Sequence, residues 1–160
     1  MEYKAATRDL TANEVADWFI NRVDPTKVET ITARQAMNLV YFAQAWFVTH
    51  TGHKLFKEEI EAWAMGPALP SIFDRFSRLS AEGIPEIEAL VEFNKQQLEI
   101  LDLVAEKYLG FETDKLTRLA TVDGGPWAKA RRGLSGEESS ERIIPIDEMK
   151  IYYGAQIGKI

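Results

Sequence analysis

From Ala36 to Val48 the chain is apolar on nearly every face of a helix, through Met37, Leu39, Val40, Tyr41, Phe42, Ala43, Trp46 and Phe47. A surface helix carries one apolar stripe, whereas a helix apolar all round has to be packed on several sides. This segment predicts a central helix with the remaining elements wrapped around it. Thr32 and Gln35 form a capping-box pattern at its start. Gly52 predicts a left-handed residue at its end, and His50 falls in the last turn, where a cation suits the helix dipole.

The partners of that helix are legible as amphipathic runs. Thr11 and Glu14 make another capping box before Val15, Ala16, Phe19 and Ile20, predicting a first helix that ends near Arg22. Asp24-Pro25-Thr26 reads as a turn. In Glu61–Phe76, Pro67 and Pro70 push the residues before them out of helical geometry, so the chain turns between Trp63 and Leu69. Glu58–Trp63 before it fits a short helix or an extended piece leading into the Gly-Pro turn, and the extended reading is adopted. Pro70 suits the first turn of a helix, with Ile72, Phe73 and Phe76 on one side and Asp74, Arg75 and Arg78 on the other.

Gly83-Ile84-Pro85 breaks the chain. Glu86–Tyr108 then reads as a long helix with Ile87, Leu90, Val91, Leu98, Leu101, Val104, Ala105 and Tyr108 in one stripe, ended by Gly110. Thr113 or Asp114 caps a short helix that turns Leu116 and Leu119 inward. Asp123–Pro126 is a turn, Trp127–Arg131 a single helical turn, and Ile143–Ile146 an extended piece before a last helix over Asp147–Tyr153. Residues 1–160 read as a single domain, with 1–10 an N-terminal lead and 134–142 a polar, mobile loop. The predicted fold is mainly α: a compact helical bundle around a buried central helix, with at most a short β-bridge or hairpin.

Composition narrows the function classes. The formal net charge is −6, and the one dense cationic patch, Lys129, Arg131 and Arg132, is followed by Glu137, Glu138 and Glu141. Nucleic-acid binding needs clustered cations, so it is disfavoured. An acidic surface fits a basic protein partner, and serves solubility equally well. With no cysteine, disulfides, thiolate chemistry and cysteine-ligated zinc are excluded. No apolar run reaches the length of a membrane span, and the opening MEYKAATRDL has no apolar signal core, so the expected location is the cytoplasm.

Catalytic patterns are absent: neither GxxxxGK, GxGxxG nor GxSxG occurs. His50 and His53, with Glu58 or Glu61, are the one metal-ligand combination, and Gly52 between them spoils a shared helical face. No cofactor is expected. Among the tryptophans, Trp46 and Trp63 fall in apolar stretches and read as core. Trp18 follows Asp17 on a helix that cannot bury both it and Phe19 equally, and could face a partner. Trp127, beside Pro126 and ahead of Arg131 and Arg132, either closes a core edge or anchors a partner in the aromatic-plus-Arg manner of interface hot spots.

The order VADWFI (Val15–Ile20), LVYFAQAW (Leu39–Trp46), GHKLF (Gly52–Phe56), EAWAMGPALPSIF (Glu61–Phe73) and PWAKAR (Pro126–Arg131), then Ile143-Ile144 and Tyr152-Tyr153, resembles the Panacea domain of SocA-like antitoxins, found on phages and mobile elements. The likeness spans about Val15–Tyr153. Tyr41, Gln44, Trp46, Trp63, Gly66, Pro67, Pro70 and Pro126 carry the motif, with a structural role expected. The chain departs from the family's usual Leu-Gln-Lys-Leu at Ala36-Met37-Asn38-Leu39, where Asn38 replaces Lys, and at Ala68 and Phe73, where Val and Tyr are usual. The resemblance implies a type II antitoxin without enzymatic activity, binding a cognate protein toxin from an adjacent gene. A second mode it implies is a proteolytic adaptor serving a AAA+ protease. Trp18, Trp127, Arg131 and Arg132 are the candidate toxin contacts. The competing readings are a mobile-element hydrolase using His50 and His53, and an adaptor module with no toxin.

Overall fold

The computed structural model describes residues 10–23, 31–79 and 91–157, and its axis is the helix α2 (Ala33–Thr51). Around α2 pack α1 (Ala12–Arg22), α3 (Pro70–Leu79), α4 (Lys95–Tyr108), α5 (Thr113–Ala120) and α7 (Ile146–Ile157). An antiparallel hairpin of β1 (Glu61–Trp63) and β2 (Gly66–Ala68) also leans on α2, and the one-turn helix α6 (Pro126–Ala130) joins β1 to α7. The fold is mainly helical, with a two-stranded sheet as its β component.

Every residue of α2 from Ala36 to Val48 is buried, as expected of a helix without a polar face. Thr32 accepts from the Gln35 amide at its start, and Gly52 closes it at φ +79°. The two buried polar residues of α2 have specific work. Gln44 clasps the loop that follows α2, accepting from the Leu55 amide at 2.7 Å and donating to the Phe56 carbonyl at 2.9 Å. Asn38 donates to the Thr117 hydroxyl on α5 at 3.0 Å. On the α4 and α7 side, Phe42 stacks on Tyr108 with ring centroids 4.0 Å apart, Trp46 donates to the Tyr108 hydroxyl at 2.9 Å, and Tyr41 and Tyr153 share a hydrogen bond. Burial pushes the Tyr108 phenol up to about 12 and raises those of Tyr41 and Tyr153 as well, so all three stay neutral in the core.

The first helix keeps its predicted bounds and its reciprocal cap between Thr11 and Glu14. Residues 61–63 are extended, and the bridge between Glu61 and Ile143 adds a third short segment beside β1. The predicted turns at Asp24–Thr26 and Gly83–Pro85 lie outside the described residues.

Four expectations need correction. Residues 91–94 are not helical: α4 starts at Lys95 because the Asn94 side chain caps the Gln97 amide and Gln97 caps in return. Its buried stripe is Gln97, Ile100, Leu101, Val104 and Tyr108, leaving Leu98 exposed, while Ile87 and Leu90 fall outside the described residues. On α3, Phe73 and Arg75 exchange places. Arg75 is buried against Asp17 of α1 at 2.6 Å, and Phe73 turns outward to meet Trp63 edge-on. The α5 cap position belongs to Glu112, with no side-chain bond, so neither Thr113 nor Asp114 caps it. The last helix begins one residue early, at Ile146, and runs on past Tyr153 to Ile157, since Gly154 at an exposed position interrupts nothing.

Candidate protein-binding site

Side chains from distant parts of the chain tie the hairpin backbone in place. Three donors reach its carbonyls. Arg131 donates to the Ala62 carbonyl at 2.9 Å, the Trp127 indole to the Trp63 carbonyl at 2.8 Å, and Arg34 of α2 to the Pro67 carbonyl. The Trp63 indole in turn donates to the Glu61 carboxylate at 2.8 Å. On the far side, the Ala62 amide donates to the Arg142 carbonyl and the Ile144 amide to the Ile60 carbonyl. Burial pulls the Arg34 guanidinium down to about 10, which leaves it charged at neutral pH.

Arg131 also organises the polar segment beside the hairpin. Its second nitrogen donates to the Ser135 and Glu138 carbonyls at 2.9 and 2.6 Å, and Arg142 donates to the Ala130 and Arg132 carbonyls. Hydrogen bonds thus link the 135–142 segment to α6 and β1. Between them and the hairpin turn lies a depression of about 560 Å³, lined by Trp63, Ala64, Met65, Ser139, Ser140 and Glu141. Met65, at the hairpin turn, is 65% exposed, the most exposed large apolar side chain among the described residues. Trp63 and Phe73 stand next to each other with ring centroids 5.2 Å apart, Trp63 half-buried and Phe73 exposed.

The sequence-nominated contacts divide between two places. Trp127, Arg131 and Arg132 sit together on and just after α6, beside the hairpin. Arg131 is 5% exposed and its guanidinium lies 5.2 Å from the Trp127 ring centroid, so it faces inward while Arg132 faces solvent. Trp18 lies on α1, which packs against α2 and α3. It is half-buried, edge-on to Phe19, with the Arg22 guanidinium over its ring and Arg22 paired in turn with Asp102.

Of the motif residues, Tyr41, Gln44 and Trp46 are buried on α2 as above, Trp63, Gly66 and Pro67 lie in the hairpin, and Pro70 and Pro126 stand at the first positions of α3 and α6. Glu58, one of the carboxylates considered as a metal ligand, instead links α1 to α3. Its two oxygens accept from the Ala12 amide at 2.8 Å and the Ser71 hydroxyl at 3.1 Å. His50 lies against the Trp46 ring at the end of α2, and His53 lies beyond Gly52. Among the described residues no three His, Asp or Glu side chains come together as a metal site.

Sequence reasoning passed over Met65 and the outward turn of Phe73. The available signal was turn geometry: Met65 sits in the two-residue connection between Trp63 and Gly66, a position with no core to face.

A sequence model of the family described as "Antitoxin SocA-like, Panacea domain" matches residues 37–128, more than half of the chain. The chain belongs to that family. The matched region holds α2 from Met37 onward, the hairpin, α3 to α5 and the start of α6, so the hairpin lies inside this SocA-like Panacea domain, while Arg34, its support on α2, stands just before the match. VADWFI, Ile143-Ile144 and Tyr152-Tyr153, which also carried the resemblance, lie beyond the match. No curated protein and no solved structure matches the chain. Among the described residues no helix is long and apolar enough to cross a membrane.

Proposed function

We propose that this chain is the antitoxin of a type II toxin–antitoxin system, acting in the cytoplasm by stoichiometric binding of a protein toxin encoded beside it, without turnover of its own. Membership of the SocA-like family carries the antitoxin reading. The contact surface proposed here is the hairpin face: Met65 and Phe73 exposed, Trp63 and Trp127 half-buried, and Arg132 at the margin. Interfaces concentrate their energy in a few aromatic, Met and Arg residues with charge at the rim. Arg131 contributes indirectly, by holding the hairpin and the 135–138 segment in register. Trp18, with Arg22 over its ring, is the second candidate contact. The rim here is acidic, with Glu141 lining the depression and Glu137 and Glu138 in the same segment, so the toxin surface that fits it is basic and apolar.

The test is co-expression with the neighbouring gene, followed by pull-down with the wild-type chain and with Met65→Asp. The expected result is rescue by wild type and a loss of about 2 kcal/mol or more in binding for the variant, a hot-spot-sized effect, at unchanged melting temperature. A neighbour that is harmless alone, or kills equally with and without this chain, overturns the antitoxin reading. Full rescue by Met65→Asp keeps the antitoxin and removes the hairpin face as its contact.

A further inference from the structure

A second surface stands apart from the hairpin. Two adjoining depressions, about 540 and 310 Å³, run between α2, α4 and α7 and share Trp46 and Lys107 as common lining. The larger is walled by Leu103 and Ile157, 40% and 46% exposed, with His50 and Glu106 at its edge. The smaller continues past Tyr108 and Tyr152 to Phe111 and Lys115. The apolar lining thus runs out over exposed side chains at one end, giving a trough that a chain segment fills better than a compact small molecule.

The charged groups lining this trough are Lys107, Lys115 and one carboxylate, Glu106. Lys54 and Lys129 each hold a carboxylate, Glu59 and Glu148, at 3.3 Å. Lys107 instead rests 4.6 Å from the Trp46 ring centroid, and Lys115 rests 4.0 Å from that of Phe111. Neither meets a carboxylate among the described residues, although Asp and Glu outnumber Lys and Arg in the chain by 25 to 19. A ring face attracts an ammonium only weakly at an exposed site and leaves its protons available. Aromatic floor, aliphatic wall and two ammonium groups spaced along the trough are complementary to an apolar side chain flanked by carboxylates. Remote acidic groups on the chain are screened over a Debye length of roughly 8 Å at physiological salt, whereas a contact with Lys107 or Lys115 is not.

We propose that this trough docks a short acidic peptide segment of a partner protein, with an apolar anchor between Leu103 and Ile157 and carboxylates on Lys107 and Lys115. This site is independent of the hairpin face. The experiment selects displayed random peptides on the full-length chain and remeasures a synthetic copy of the best binder on variants. Enriched sequences are expected to combine Asp or Glu with Leu, Phe, Met or Trp. Binding should weaken with added salt, fall about tenfold or more in K107E/K115E, survive in K107R/K115R, and shift the Trp46 indole resonance. Melting curves confirm that the exposed-lysine variants stay folded. Enrichment of basic or uncharged sequences overturns the proposal, as does binding indifferent to K107E/K115E. Concentration-dependent self-association that disappears in K107E/K115E also overturns it, in favour of a second copy of the chain.

Discussion

Helix α2 and the β1–β2 hairpin touch each other and lie in the same family region, yet they are held by different forces. Along α2 from Ala36 to Val48 every side chain is buried, most of them apolar, and the helix keeps its own backbone hydrogen bonds. The hairpin is three residues a strand, too short to be stable alone. It borrows its rigidity from donors elsewhere in the chain: Arg34 below it, Trp127 and Arg131 beside it. Area dominates in α2, whereas the hairpin, whose Ala62 and β2 are also buried, depends in addition on a few directional bonds. A region held by area tolerates reshaping of its surface but not loss of volume. A region held by bonds can expose apolar side chains such as Met65 without losing its shape, which is what a recognition surface needs.

The comparison breaks most visibly in the core. Phe47→Ala removes a ring that is 5% exposed, and such truncations cost about 3–5 kcal/mol by lost transfer energy and the cavity left behind. Chemical denaturation should show one cooperative transition shifted by that amount. A loss under about 1 kcal/mol would mean that α2 is less enclosed than its burial implies.

Removing a tie should look different. Arg131→Met keeps much of the side-chain volume but leaves the Ala62, Ser135 and Glu138 carbonyls without this donor. A buried group stripped of its partner costs about 1–3 kcal/mol, and segment 135–138 can recover part of this by turning to water. We expect a global loss of about 2 kcal/mol, below that of Phe47→Ala, with hydrogen-exchange protection falling first at Ala62 and in residues 134–142. Uniform loss of protection across α2 as well would show that hairpin and core are one energetic unit.

This difference in forces also decides what was legible in the sequence. The α2 core, the α1 cap, the Gly52 stop and the hairpin turn were readable because each is a local rule: periodicity, a capping pair, a Gly-Pro block. Arg75 was misplaced because its burial depends on Asp17, 58 residues earlier in the chain, and no period encodes such a pair. The start of α4 was missed because apolar spacing was followed through Asn94, whose side-chain cap outweighs it. The candidate site was half legible. Trp127 and the arginines were noticed as a group, but Arg131 looked like a free cation because its acceptors are backbone carbonyls, which carry no sequence signature. Met65 hid inside a block read wholly as scaffold.

The finest test sits where the two regions meet. Gly66 has φ +140°, a conformation that L residues rarely adopt, and a Cβ there would stand 3.1 Å from Arg34 Nη1. The far end of a long side chain would usually move aside, but Arg34 is tied to the Pro67 carbonyl. Its Nε and Nη1 are buried and meet no hydrogen-bond partner among the described residues, so its remaining hold is weak. Gly66→Ala should therefore cost about 1–2 kcal/mol, chiefly as backbone strain, less than either change above. Combining it with Arg34→Met separates the causes. If contact with Arg34 contributes, the double variant loses less than the sum of the two singles, by more than the ~0.3–0.5 kcal/mol expected of independent sites. If the losses add, the glycine is required by the turn alone, and α2 supports the hairpin through the Pro67 bond without reading the residue at position 66.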